Sequence, residues 1–183
     1  MRRAPFLFVV GSLLSSSAAL AVEQQVHVGV GGGLSALKVD DKSTTSLGAG
    51  AGVDFKYGIN DAFNLHLEAG HSVVAADEQL DSPATPHTRP STVSTAALGV
   101  TYVLDIVRIV PYGGALMGAG LLRGGTLDKS LVLPDVQLAF GADYYLSRNF
   151  ALGAAYRQHL FFTKLDAYPS YSNLWLRVEY TWW

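Results

Sequence analysis

The feature that most constrains this chain is a repeated alternation of apolar residues with small or polar ones, at a period of two. It recurs in eight segments of about a dozen residues, each bounded by turn-forming residues. The segments span residues 26–37, 47–57, 63–73, 93–104, 109–122, 135–146, 150–162 and 174–183. Successive side chains of a β-strand point to opposite faces, so the pattern predicts eight strands with two different faces each.

The two faces differ in size as well as in polarity. In the second segment one face carries Leu47, Ala49, Ala51, Val53, Phe55 and Tyr57, and the other carries Gly48, Gly50, Gly52, Asp54 and Lys56. The fifth segment, residues 109–122, is apolar on both faces, so its orientation stays open. One consistently apolar face per strand predicts a sheet that buries that face in a protein core or in lipid.

Composition excludes several classes of protein. Charged residues make up 15% of the 183 residues, against about a quarter in a typical soluble domain. The formal net charge of −2 provides no cationic excess for nucleic-acid phosphates, so we expect no nucleic-acid partner. The chain has no cysteine, which excludes disulfides, zinc–thiolate sites and a cysteine nucleophile.

The N-terminus has the features of a secretory signal. Arg2 and Arg3 precede an apolar run over residues 6–14, and small residues lead to Ala19-Leu20-Ala21. The run is too short to span a bilayer as a helix. We therefore expect residues 1–21 to be a signal peptide and residues 22–183 to form one domain, whose eleven cations and fifteen anions give a net charge of −4.

The connections between segments alternate in length. Residues 58–61, 105–108 and 147–149 are tight turns, whereas residues 38–46, 77–91, 123–133 and 163–173 are longer and polar. Short turns at one end and long loops at the other are typical of outer-membrane barrels with an even strand number. We expect an aromatic girdle at the short-turn end, formed by Phe55, Tyr57, Phe63, Tyr102, Tyr112, Tyr144, Phe150, Tyr180 and Trp182.

A secreted soluble barrel of the lipocalin type is the main alternative, with the apolar columns facing inward around a ligand. Its outer face would then carry the glycines of the first two strands, which weaken a strand in water. The interior of an eight-stranded barrel, by contrast, needs small side chains because it is barely wide enough to fill. The sequence therefore favours an all-β, eight-stranded antiparallel up-and-down transmembrane β-barrel.

Three stretches resemble the small outer membrane β-barrel proteins of the OmpA and OmpX type. FKYGINDAFNLHLEAG and ADYYLSRNFALGAAYR each read as strand, tight turn and returning strand, and IVPYGGALMGAG reads as the fifth strand. The terminal alternation of Tyr180 and Trp182 is similar to the assembly signal of that family. The resemblance implies a place in the outer membrane, contact with its lipid and lipopolysaccharide, transient contact with the barrel assembly machinery, and no cofactor.

The inward faces carry nearly balanced charges. Asp54, Glu68, Asp143 and Glu179 face Lys56, Arg157 and Arg177. We expect Arg157 to lie opposite Arg177 and Glu179, so that Glu68, Arg157, Arg177 and Glu179 form one ion-paired cluster that closes the lumen. A conducting pore is the alternative, although an excess of one sign would be more typical of a selective one.

Candidates for chemistry are few. His71-Ser72, and His159 with Ser170 or Ser172, are the possible catalytic pairs, but adjacent strand residues point to opposite faces. The loop residues Asp77, Glu78, Asp81 and His87 match no metal-ligand spacing, so we expect no metal site. The sequence thus predicts a non-enzymatic outer membrane protein with a structural or surface-interaction role and an unidentified surface partner. A small channel or transporter is the first alternative, and a lipid A-modifying enzyme the second.

Overall fold

The computed structural model describes residues 24–39, 45–75, 89–104 and 108–182. The predicted signal peptide lies outside these residues, as does most of the predicted loop 77–91, with Asp77, Glu78, Asp81 and His87. No helix within the described ranges is long and apolar enough to cross a membrane.

Eight strands account for most of the described chain. They are β1 (Val26–Lys38), β2 (Thr45–Gly58), β3 (Phe63–Val74), β4 (Thr92–Val103), β5 (Ile109–Arg123), β6 (Leu131–Tyr145), β7 (Phe150–Leu160) and β8 (Ser170–Trp182). Each strand pairs antiparallel with its sequence neighbours, and β1 pairs with β8 to close the barrel. The predicted eight-stranded antiparallel up-and-down barrel is confirmed.

The two ends of the barrel differ as the connection lengths predict. Val26, at the start of β1, pairs with both Tyr57 and Trp182. The same end of the barrel holds the strand ends that border the short connections, residues 59–62, 104–108 and 146–149. The strand ends that border the longer connections, residues 39–44, 75–91, 124–130 and 161–169, lie at the other end. We call these the turn end and the loop end.

Two strands begin four residues earlier than the alternation predicts. β6 begins at Leu131 rather than at residue 135, and β8 begins at Ser170 rather than at residue 174. Pro134 and the run 170–173 suggested loops, yet Pro134 pairs with Ala119 and the polar Asn173 is buried inside the barrel. The predicted loops 123–133 and 163–173 are therefore too long. In both strands the apolar alternation stops before the strand itself ends.

The apolar columns face outward. Val30, Leu98 and Leu176 expose 55%, 50% and 74% of their surface, whereas Glu68, Arg157 and Arg177 expose 5% or less. This arrangement is inside-out relative to a soluble protein, in which large apolar side chains are mostly buried. A hydrocarbon environment around the barrel accounts for it.

β5 also takes a definite orientation. Val110, Tyr112, Leu116 and Leu122 are buried in the lumen, and Ile109 and Met117 point outward. Tyr112 therefore does not belong to the aromatic girdle, and that prediction was wrong for this residue. The other predicted girdle residues are exposed: Phe55, Tyr57, Phe63, Tyr102, Tyr144, Phe150, Tyr180 and Trp182.

Glycines on the inward face make room for large side chains. A Cβ on Gly70 would lie 2.6 Å from the indole of Trp175, and Gly52 faces the same ring. Gly141, which pairs with Tyr112, likewise leaves space for the phenol ring. Because the interior of an eight-stranded barrel is narrow, a bulky side chain on one strand requires a small one facing it.

Candidate functional site

Charged side chains from five strands meet in the lumen toward the turn end. β2 provides Asp54 and Lys56, β3 provides Glu68, β6 provides Asp143, β7 provides Arg157, and β8 provides Arg177 and Glu179. Each is placed inward by the period of two along its strand. We call these residues, together with Tyr112 from β5, the lumen cluster.

Glu68 and Arg157 form the first half of the lumen cluster. Arg157 Nε donates to Glu68 Oε2 over 2.7 Å, and both side chains are almost fully buried. Glu68 also accepts a hydrogen bond from the Nε2 of Gln137, and His66 Nε2 lies 3.5 Å from its carboxylate. A charge-assisted contact of this length between buried partners is among the stronger interactions available to a barrel interior.

Arg177 organises the second half. It is paired with Glu179, its Nη1 lies 3.3 Å from Asp54 Oδ1, and its Nη2 donates to Asp143 Oδ2 over 3.1 Å. Lys56 Nζ donates to Glu179 Oε2 over 2.9 Å and lies 3.4 Å from Asp143 Oδ2. Three carboxylates around two cations leave this half with a formal charge of −1.

Tyr112 joins the two halves. Nη1 of Arg157 and Nη1 of Arg177 each lie 3.4 Å from its hydroxyl oxygen. Its ring also faces all three cations of the cluster, with Lys56 Nζ 4.5 Å from the ring centroid and the guanidinium carbons of Arg177 and Arg157 at 5.4 and 5.8 Å. A phenol can accept hydrogen bonds and present a negative ring face, so it can lie among cations without a charge of its own.

The four residues of the predicted cluster are thus connected, but not by the predicted register. Arg157 lies opposite Asn173, and Arg177 lies opposite Gly153. The expectation that Arg157 faces Arg177 and Glu179 directly was wrong. Arg157 pairs with Glu68 across the lumen, and among the described residues Tyr112 links it to Arg177.

Four further inward residues have partners that the sequence did not predict. His27 Nδ1 lies 2.8 Å from Glu179 Oε1, and His159 Nδ1 lies 2.6 Å from Asp135 Oδ2, with all four side chains buried. His66, beside Glu68, is also buried. The alternation along β1, β3 and β7 places His27, His66 and His159 inward, but it identifies none of their partners, and Asp135 stands at the edge of a predicted strand.

An apolar layer lies above the lumen cluster, at the loop end. It comprises Leu37, Val39, Val74, Val93, Leu122, Leu133, Phe161, Tyr168 and Tyr171. Tyr168 lies on the connection between β7 and β8, and burial raises the pKa of its phenol. Rings of Phe161 and Tyr171 stack with centroids 6.2 Å apart, and the Tyr171 hydroxyl donates to Ser72 Oγ over 2.8 Å. We call this layer the apolar cap.

The possible catalytic pairs are separated or differently partnered. Ser72 is buried beside Ser35 and Tyr171, whereas His71 is exposed on the outward face and its Nδ1 lies 2.8 Å from Ser94 Oγ. His159 Nε2 lies 3.2 Å from Asn173 Nδ2, and Ser170 instead accepts from Gln158. Within the described ranges no set of three His, Cys, Asp or Glu side chains could hold a metal ion.

Solved structures with the same architecture come from several bacterial outer membranes. Neisserial surface protein A aligns with a TM-score of 0.64 at 15% identity, over 87% of this chain and 97% of that one. The N-terminal barrel domain of Pseudomonas aeruginosa OprF aligns with a TM-score of 0.61 at 15% identity, over 87% and 98%. Ail, the attachment invasion locus protein of Yersinia pestis, aligns with a TM-score of 0.57 at 15% identity, over 87% and 99%.

At such identities these likenesses show the fold alone, and no curated protein sequence matches the chain. A family model, however, matches almost its entire length. The model describes the outer membrane protein beta-barrel domain, and its match spans residues 6–181. The outward apolar columns, the closed eight-stranded barrel and this match agree: the chain belongs to the outer membrane β-barrel protein family, and its place is the cell outer membrane.

Proposed function

We propose that the protein is a closed barrel that serves as a membrane anchor and presents its long loops for contact at the cell surface. The observation that carries this proposal is the filling of the lumen by side chains that contact one another in two layers. The lumen cluster crosses the turn-end half, and the apolar cap crosses the loop end. A solute would have to displace both layers.

The proposal includes an orientation, with the loop end outside the cell and the turn end in the periplasm. Long external loops and short periplasmic turns are the rule for bacterial barrels of this kind. Ail and the neisserial surface protein carry names that refer to attachment and to the surface. By analogy, the loops of this chain provide the contact surface, and no catalytic role is proposed for the barrel.

A channel is the second candidate, and one observation favours it. Among the described strand residues five inward carboxylates, Asp54, Glu68, Asp135, Asp143 and Glu179, exceed three inward cations, Lys56, Arg157 and Arg177. An acidic interior would select cations if the two layers opened.

Two measurements test the proposal. An epitope inserted between Asp128 and Lys129 should bind antibody on intact cells, whereas the same epitope between Asn60 and Asp61 should bind only after the outer membrane is permeabilised. Liposomes containing the refolded protein should swell no faster in small sugars than empty ones. Reversed labelling would overturn the orientation, and rapid swelling would favour the channel.

A further inference from the structure

The outward face of the barrel carries a histidine at a depth where lipid chains surround the wall. His71 lies on β3, eight residues from Phe63 of the aromatic girdle, and its side chain is exposed. At the usual rise and tilt of a barrel strand, this separation corresponds to about 20 Å, and the apolar band of such barrels is about 25 Å tall. The imidazole of His71 therefore lies within the apolar band.

Only one nitrogen of this imidazole has a partner within the chain. Nδ1 of His71 lies 2.8 Å from Oγ of Ser94, the residue with which His71 pairs on β4. No hydrogen bond from the described residues reaches Nε2 on the other side of the ring. A polar atom surrounded by hydrocarbon lacks the hydrogen bonds that water would provide, and this costs free energy. A hydrogen-bonding partner from outside the chain would remove that cost.

Polar residues on the opposite wall of the barrel satisfy one another instead. The Tyr156 hydroxyl donates to Gln158 Oε1 over 2.7 Å, and Gln158 Nε2 donates to Ser170 Oγ over 3.0 Å. These residues lie on β7 and at the start of β8, on the far side of the closed barrel from β3 and β4. The wall formed by β3 and β4 therefore differs from the opposite wall in its unpartnered ring nitrogen.

Small side chains flank the pair formed by His71 and Ser94. Four exposed alanines lie on the same and neighbouring strands: Ala51, Ala69, Ala96 and Ala119. Small residues allow two membrane-embedded surfaces to approach closely, and polar side chains between such surfaces form hydrogen bonds in the absence of water. A second protein surface can therefore come within hydrogen-bonding distance of the pair.

The cross-strand position of Ser94 gives the pair the arrangement that a symmetric dimer requires. Copies of a barrel in one membrane share one orientation, so the two-fold axis of a dimer lies along the membrane normal. Rotation about this axis exchanges left and right and preserves height. Because His71 and Ser94 lie side by side on adjacent strands, two copies that meet at this wall place His71 of each copy opposite Ser94 of the other.

The hydrogen bonds of such a contact are complete with both histidines neutral. A histidine with its proton on Nδ1 donates to Ser94 Oγ of the same copy, and its Nε2 is then an acceptor. The hydroxyl proton of Ser94 in the second copy is free to donate to that Nε2. Four hydrogen bonds then form a closed ring through the two histidines and the two serines, and every ring nitrogen has a partner.

We propose that the wall formed by β3 and β4 is the interface of a homodimer, with His71 and Ser94 of both copies at its centre. An acyl chain offers no donor at this depth, whereas a second copy presents the Ser94 hydroxyl at the height of the imidazole. The dimer requires one orientation shared by both copies, whichever end is outside the cell. It is therefore independent of the proposed surface role of the loops.

Energy transfer between copies in lipid vesicles would measure the association. Chains labelled through Lys129→Cys on the exposed β5–β6 loop would be refolded as a mixture of donor and acceptor, at increasing dilution in lipid. We expect transfer above that of randomly placed monomers. His71→Phe and Ser94→Ala should each weaken association about tenfold, because each removes the hydrogen bonds between the copies. Ser170→Ala, on the opposite wall, is the matched control and should leave association unchanged.

Cross-linking locates the interface without a change to His71 or Ser94, and the chain has no cysteine of its own. Ala69 pairs with Ala96, so the same two-fold axis places each opposite the other in the second copy. A short bifunctional thiol reagent should therefore link a mixture of Ala69→Cys and Ala96→Cys chains into dimers. The matched mixture of Ala142→Cys and Ala154→Cys, a cross-strand pair of β6 and β7, should stay monomeric.

Three results would overturn the proposal. Transfer in the otherwise unchanged chain no higher than that of random monomers would exclude the dimer. Full association in both His71→Phe and Ser94→Ala would exclude the hydrogen-bonded ring as its centre. Equal cross-linking of the two cysteine mixtures would place the contact elsewhere or indicate random collision. None of these results depends on the epitope labelling that tests the orientation of the barrel.

Discussion

Replacement of Glu68 by glutamine should destabilise the barrel strongly, although it adds no bulk and no charge. The substitution keeps the shape of the side chain and removes its charge. Arg157 exposes 2% of its surface, and its remaining acceptors would all be uncharged: the single amide oxygen of the glutamine, the Tyr112 hydroxyl and two backbone carbonyls, the last three at 3.3 to 3.4 Å. A buried guanidinium would thus lose its ionic partner without access to water.

The size of the effect follows from that burial. Removal of one member of a buried ion pair costs about 3 to 5 kcal/mol in the free energy of unfolding. Because Arg157 keeps uncharged acceptors, we expect the cost of Glu68→Gln to lie near the lower limit, about 3 kcal/mol. Arg157→Met should cost a similar amount, because Glu68 would keep only Gln137 as a hydrogen-bond donor, with His66 nearby.

Urea titration of the barrel in lipid vesicles, followed by tryptophan fluorescence, would measure these energies. The double variant Glu68→Gln/Arg157→Met should lose less than the sum of the single losses, by about 2 kcal/mol, since neither residue is then left alone. Arg157→Met combined with Lys129→Gln should be additive. A coupling of zero between Glu68 and Arg157 would refute the reasoning.

Three further predictions follow from the packing. Tyr112→Phe removes the hydroxyl shared by both arginines and should lower the free energy of unfolding by about 1 to 2 kcal/mol. An unchanged free energy would show that the ion pairs alone hold the cluster. Gly70→Ala should cost about 1 to 3 kcal/mol because its Cβ meets Trp175, and Trp175→Leu should relieve most of that loss in the double variant. Leu98→Arg at the outward face should cost about 2 to 4 kcal/mol. The matched Leu98→Met should be nearly neutral, and equal refolding yields for the two in vesicles would contradict the assignment of faces.

Alternation was sufficient to predict the barrel, because a period of two assigns every residue of a strand to one face. Strand number, topology, the apolar outer face and all the inward charges of the predicted cluster followed from it. The charges were identifiable because Glu68 and Arg157 stand on the face of their strands opposite the apolar column.

The contacts among those charges required the register, which depends on where each loop begins and ends. The predicted loop 163–173 centres the last hairpin three residues too late, and this would put Arg157 opposite Glu179 instead of Asn173. The inward position of Tyr112 was not predicted for a related reason. Because β5 is apolar on both faces, its sequence does not show which face points into the lumen. Its burial and its pairing with the inward Gly141 show that the phenol points into the lumen.

The most direct test of a closed lumen is electrical. Planar bilayers containing the refolded wild-type barrel should show no current steps above the bare membrane, because the lumen cluster and the apolar cap both lie across the path. Stable steps in the wild-type protein, with a preference for cations that is lost in Glu68→Gln, would show that the lumen conducts and would contradict the account.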